Sequence, residues 1–258
     1  MKAKTSTLFT AIGLTVALAS PASAAVTLLT DNFNTEASFT ASPNADQSGD
    51  LAPASYTVTN PFAIGAGSAS RGAGTLNLAE TLAGTMVTTS ADYITFANTN
   101  DTPIQFTFDV DSSLADVTGF IVGDGGWYSS SGGTFGAYVR SSGFSDVFTG
   151  TTKVVNNTNL GSSTITIKLE LRDTLGTGSA FDGGGSVAQL WAGATDLGSF
   201  TLPQLTTTNG KFAFASYDGN TAINSGKVDN FSITATIPEP GAALLGGLGM
   251  LALLRRRR

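Results

Sequence analysis

The residues of this chain that can do chemistry are almost all oxygen-bearing. Its 258 residues include no histidine and no cysteine. A serine or cysteine hydrolase with a histidine base is therefore excluded, as are histidine-ligated zinc, copper and iron centres. Carboxylates, hydroxyls, amides and backbone carbonyls remain, and these suit calcium or sugars. Two acidic pairs come nearest to the needs of glycoside hydrolysis, Asp109 with Asp111 and Glu170 with Asp173. Spacing by two puts Asp109 and Asp111 on one face of a strand. Apolar residues alternate on the opposite face, so this pair is placed on the solvent side near a strand end. Glu170 opposes Leu169 and Leu171, and Asp173 is expected in the following turn. A retaining pair needs its carboxyls about 5–5.5 Å apart across a cleft. Neither pair meets that pattern, so the chain is read as non-enzymatic, with no catalytic residue.

Sugar sites combine an aromatic face with a few placed polar groups. Residues 124–138 (DGGWYSSSGGTFGAY) put Asp124, Trp127 and Tyr128 in a glycine-rich loop. Adjacent aromatics on an extended segment point in opposite directions, which leaves one open to a carbohydrate. The competing reading packs Trp127 over the sheet edge and Tyr128 on the core. Trp191, between Leu190 and Ala192, reads as core or inter-sheet filling. For calcium, Asp182 with Asp218 is one pairing, but no linear Asp-x-Asp-x-Asp-Gly loop occurs. The glycine-rich stretches also lack the lysine or following helix that would hold phosphate.

The elements that must position these groups read as strands. Residues 103–110 (PIQFTFDV) alternate Ile104, Phe106, Phe108 and Val110 against Gln105, Thr107 and Asp109. Residues 163–171 and 228–236 alternate similarly, as strands with one buried and one wet face do. Further strands are expected near 26–30, 55–59, 74–78, 84–88, 92–97, 117–122, 134–140, 144–149, 187–191, 195–202 and 211–216. Clusters such as 123–126 (GDGG), 183–185 (GGG) and 218–220 (DGN) supply turns. Residues 41–53 read as a long loop, and no amphipathic helix is evident before the tail. Many short strands without intervening helices predict an all-β fold, an antiparallel β-sandwich or a barrel.

Both ends read as processing segments. Lys2 and Lys4 precede an apolar stretch, Leu8 to Ala19, and Pro21-Ala22-Ser23-Ala24 ends in a small-x-small site. This pattern predicts a secretory signal peptide over 1–24, removed after Ala24 on export by the Sec machinery. At the other end, Pro238-Glu239-Pro240 precedes fourteen uncharged residues, Gly241 to Leu254, and then Arg255, Arg256, Arg257 and Arg258. As a helix the apolar run spans about 21 Å, against a hydrocarbon core of about 30 Å. The arginines would hold that end in the cytoplasm, so one reading is a transmembrane helix acting as a tail anchor. Without the two segments, seven basic and eighteen acidic residues remain, a net charge near −11. No nucleic acid or anionic lipid is expected as a partner.

The order of the C-terminal blocks resembles the PEP-CTERM sorting signal of exported bacterial proteins. That resemblance implies an exosortase-type membrane transpeptidase as partner and a hydrophobic tail that is discarded. The domains are then 1–24 signal peptide, 25–236 β-sandwich and 237–258 sorting signal. The body resembles concanavalin A-like jelly rolls of the laminin G or lectin kind. The matching segments are 31–39 (DNFNTEASF), 187–202 (VAQLWAGATDLGSFTL) and 211–233, which closes on Val-Asp-Asn-Phe. In such folds the first and last strands lie side by side, which implies that Asp31 and Asp229 approach and offers them as calcium ligands. At each of these aspartates the alternative is an Asx turn. The expected role is that of an exported cell-surface or extracellular-matrix protein associated with the envelope or with extracellular polysaccharide. The alternative is a lectin-like carbohydrate-binding module.

Overall fold

The computed structural model of the chain describes residues 23–34, 47–59, 68–72, 74–80, 83–123, 133–174, 181, 184–218 and 224–238. Ala25–Ile237 is one compact unit, and Met1–Ala24 with Pro238–Arg258 make up a second. Of that second unit only Ser23, Ala24 and Pro238 are described. Among the described residues no helix is long and apolar enough to cross a membrane.

The strands are β1 (Ser23–Asp31), β2 (Gln47–Ser48), β3 (Tyr56–Thr59), β4 (Ser68–Gly72), β5 (Thr75–Glu80) and β6 (Ala83–Thr89). A helix, α1 (Tyr93–Asn100), follows. Next come β7 (Ile104–Asp111), β8 (Val117–Gly123), β9 (Gly133–Arg140), β10 (Phe144–Thr149) and β11 (Thr152–Asn159). The chain closes with β12 (Thr164–Asp173), β13 (Ser186–Ala192), β14 (Thr195–Leu202), β15 (Phe212–Asp218) and β16 (Asn224–Pro238).

These strands build two antiparallel sheets. The nine-stranded sheet runs β14-β13-β12-β7-β16-β1-β2, with β5 paired to β16 and β4 to β5. The seven-stranded sheet runs β11-β10-β9-β8-β15-β6-β3. The chain passes between the sheets repeatedly, and β8 to β11 lie in one sheet while β12 to β14 lie in the other. The result is a β-sandwich of the jelly-roll type that the sequence predicts. Its first and last strands, β1 and β16, are neighbours.

The period-two pattern of the sequence decides what each face holds. In β7, Ile104, Phe106, Phe108 and Val110 are buried, while Gln105, Thr107, Asp109 and Asp111 are half-buried on the outer face. Register with β12 sets Phe106 opposite Leu169 and Phe108 opposite Ile167, so apolar meets apolar across the ladder. From the other sheet Phe120, Val122, Phe135, Phe212 and Phe214 close the core. Each such side chain contributes roughly 1.5–3 kcal/mol by leaving water. The sheets approach closely at Gly226 of β16. A Cβ there would stand 2.2 Å from Thr118 Oγ1 and 2.3 Å from Ser216 Oγ, so only glycine fits against that buried hydroxyl pair.

Three expectations are corrected, and one strand is found that the sequence did not announce. Residues 92–97 form no strand but begin α1. Their Tyr, Ile, Thr and Phe side chains favour strands, yet the caps decide otherwise. The Asp92 carboxylate accepts the Thr95 N–H at 3.0 Å, and Asp101 closes the helix in the left-handed region. Tyr93 then packs edge-on against Phe106 at 4.9 Å, and its hydroxyl donates to the Gly210 carbonyl. Burial pushes the Tyr93 phenol far up. The polar run Thr152–Asn159 forms the edge strand β11, which shows little alternation because most of its side chains meet solvent and Val155 packs against the core. Asp173 ends β12 in pairing with Ser186 rather than entering a turn. Trp191 does not fill the core. Leu190 and Ala192 do, so Trp191 points outward and is half-buried.

Candidate functional site

The outward face of the nine-stranded sheet is polar, and its side chains stand in rows fixed by register. One row is Thr166 of β12, Asp109 of β7 and Asp229 of β16; the next is Thr164, Asp111 and Lys227. Together with Thr75 of β5 and Gly193 they line an open groove of about 640 Å³. Asp109 is held at both oxygens, accepting the Thr166 hydroxyl at 2.5 Å and the Asn230 side-chain amide at 2.8 Å. Asn230 reaches it from a bulge in β16, where the register with β7 shifts between Asp229 and Ser232 and Asn230 has φ 51°. Asparagine is among the few residues that tolerate this conformation.

Two carboxyls in this groove are displaced in opposite directions from the ordinary carboxylate pKa. For Asp111 burial pushes upward, but the hydroxyl and N–H of Ser113, the Thr164 hydroxyl and the Lys227 ammonium outweigh it and hold the group low. For Asp229 burial also pushes upward, the Asn230 N–H opposes it, and the facing Asp109 adds to the rise. A carboxylate whose folded pKa is raised opposes folding above that pKa, and the penalty disappears as pH falls. Asp229→Asn is thus expected to raise stability at pH 7 by roughly 0.2–1 kcal/mol, the scale of a cross-strand like-charge pair. That gain should vanish near pH 3, where wild-type Asp229 is protonated. Thermal melts of the two proteins at both pH values check this, and a less stable variant at pH 7 would refute it.

Beside the groove the next row holds Trp191 of β13, Lys168 of β12 and Thr107 of β7. The Lys168 ammonium sits 4.5 Å from the centre of the Trp191 ring. Trp191 is two residues from Gly193 and Lys168 two from Thr166, both of which line the groove. A half-exposed indole, hydroxyls, amides and carboxylates therefore share one open face. The arrangement offers ring stacking with hydrogen bonding, which is how proteins hold sugars.

The sequence-predicted residues fall elsewhere or into other company. Asp124, Trp127, Tyr128 and Asp182 lie outside the described residues, as do Glu239, Pro240 and Arg255–Arg258 of the tail. Pro238 ends β16. Asp109 and Asp111 occupy the solvent face, as their spacing predicts. Asp31 and Asp229 have separate partners. Asp31 is 1% exposed and accepts hydrogen bonds from Phe33 N–H, Gln47 and Tyr56, with Arg71 at 3.7 Å. Its charge is matched by a guanidinium. Among the described residues no group of three or more acidic side chains is placed to hold a metal. Sequence reasoning missed Trp191, although its position in the alternation of 187–192 is the signal that would have found it.

No protein-family model and no curated protein matches this sequence. Solved structures of similar shape do exist. One is the lectin I-B4 from Griffonia simplicifolia in its metal-free form, at 10% identity and a TM-score of 0.43, over 69% of this chain and 99% of that one. A protein of unknown function from Shewanella oneidensis MR-1 matches at 13% identity and 0.45, over 93% of this chain and 99% of the other. A sialidase matches at 10% identity and 0.43 over 69% of this chain, which spans only 16% of the sialidase chain. No activity or residue role follows from likenesses this distant.

Proposed function

We propose that this chain is an exported, non-enzymatic protein of the cell envelope or extracellular matrix whose sandwich binds a glycan on the outward face of the nine-stranded sheet. Export rests on the signal peptide pattern over 1–24. Sorting rests on the PEP-CTERM resemblance of the tail, with an exosortase-type transpeptidase as the partner that removes it. The observation that carries the binding reading is the outward Trp191 beside the groove of Asp109, Asp229 and Thr166. A pyranose ring laid on the indole would bring its hydroxyls over the neighbouring carboxylates and hydroxyls. Binding is favoured over hydrolysis because both Asp109 oxygens are already engaged and the groove lies open across a sheet face.

A glycan array probed with the purified full chain and with Trp191→Ala tests this. Loss of the stacking surface should weaken binding roughly 3–10-fold. A protein that binds no glycan, or a Trp191→Ala variant that binds every glycan as the parent does, would overturn the reading. Mass spectrometry of the surface fraction tests the sorting separately, and an intact Arg258 there would refute removal of the tail.

A further inference from the structure

The groove on the outward face of the nine-stranded sheet is unbalanced in charge. Three carboxylates line it, Asp109, Asp111 and Asp229, against one ammonium, Lys227. Lys227 stands opposite Asp111 across the β7–β16 ladder, and its charge helps to hold that carboxyl low. Lys168, in the row beyond, is drawn over the Trp191 ring. Asp109 and Asp229 are left facing each other, directly opposite in register on β7 and β16. Among the described residues no ion pair reaches either of them. Like charges so placed repel, and the push on Asp229 is upward accordingly.

The groups that do meet these two carboxylates are neutral. Asp109 takes the Thr166 hydroxyl and the Asn230 side-chain amide, one at each oxygen. Asp229 takes the Asn230 N–H at 2.6 Å on one oxygen, and its other oxygen meets no donor among the described residues. An ionised carboxylate offers about four acceptor sites, so hydrogen bonding is as incomplete here as charge. A primary ammonium matches both deficits, because it is a compact cation with only donors. Thr75 and Thr164 add hydroxyls along the same groove. Trp191 on β13 stands three strands away from Asp229 on β16, about 14 Å across the sheet at the usual strand spacing. A chain of several sugars, and not a single ring, spans from the indole to the carboxylate pair.

We propose that the glycan taken by this face is an amino-sugar polymer with free amines, one ammonium seated at Asp109 and Asp229 while another ring of the same chain lies on Trp191. This rests on the glycan reading of the face and names the class of sugar. Titration calorimetry of the full chain with the glucosamine trimer and with its fully N-acetylated form, just below neutral pH where the amines are protonated, tests it. The amine should bind at least about tenfold more tightly than the acetylated trimer, the scale of one charge-assisted contact. Asp229→Asn relieves the like-charge repulsion and keeps the fold. It should lose about tenfold for the amine and nothing for the acetylated form. Asp50→Asn removes the same charge from an exposed turn and should leave both affinities unchanged. Trp191→Ala should weaken both trimers. A loss with Asp50→Asn equal to that with Asp229→Asn would mean that the domain's overall charge holds the amine, and it would overturn the proposal. Equal binding of the two trimers by the parent would also overturn it, and a loss of both with Trp191→Ala would then leave the glycan reading standing. If neither trimer binds, the amino-sugar assignment fails, and the glycan array decides the broader reading on its own.

Discussion

Phe212→Ala should lower the unfolding free energy by about 3–5 kcal/mol, the range for truncating a fully buried phenylalanine. Phe212 is 1% exposed and sits where the two sheets interlock. It belongs to β15, yet its ring stacks on Phe106 of β7 at 4.5 Å and on Phe231 of β16 at 5.5 Å. Within its own sheet it stacks on Phe120 at 5.8 Å and meets Phe214 edge-on at 5.3 Å. Phe108 adds another edge contact at 5.7 Å. Alanine would open a cavity bounded by rings on both sheets, which rigid strands cannot close by collapse. Because domains of this kind hold only about 5–15 kcal/mol in total, about a fifth or more of the stability should go. Phe212→Leu, closer in volume, should cost under about 1.5 kcal/mol. Urea denaturation of the three proteins decides the matter. If alanine and leucine cost the same, cavity formation is not the cause.

That aromatic cluster was open to sequence reading in a way the binding face was not. Phe106 and Phe108 alternate with Gln105 and Thr107, and period two alone assigns them inward. The same rule applied to Leu190-Trp191-Ala192 sends Trp191 outward, but a large aromatic between two apolar residues resembles core until the register is known. Helix α1 was hidden for a related reason. Its residues prefer strands, and only Asp92 and Asp101 at its ends signal the helix. The groove rows were beyond reach altogether. Asp109 and Asp229 are 120 residues apart, and only the β7–β16 register sets them opposite each other. Likewise Asp146, Arg140 and Lys153 lie on three successive strands, yet their convergence depends on bulges that shift the β10–β11 register.

Asp31 shows how the surroundings of a residue set its role, and it supports the second large prediction. From sequence it opens an Asp-x-Phe run and offers a calcium ligand. In the structure it is the centre of a buried polar cluster. Gln47 and the Tyr56 hydroxyl each donate to it at 2.9 Å, and the Phe33 N–H reaches its other oxygen at 2.9 Å. Arg71 lies 3.7 Å away, with neither side chain exposed, and its guanidinium also stands 5.8 Å from the centre of the Tyr56 ring. Burial pushes the Tyr56 phenol well up and the Asp31 charge adds to the rise, so Tyr56 stays protonated as a donor. Asp31→Ala should therefore cost about 3–5 kcal/mol, the range for removing one member of a buried ion pair. The expected size comes from leaving one member of a buried pair behind and not from a net attraction, since a buried pair gains little over an apolar replacement. Pairing Asp31→Ala with Arg71→Met should then recover part of the loss, by about 1–3 kcal/mol relative to the sum of the single changes. Denaturant midpoints of the four proteins close the cycle. Additive single costs would show that Asp31 acts through its hydrogen bonds to Gln47, Tyr56 and Phe33 alone, with Arg71 a bystander.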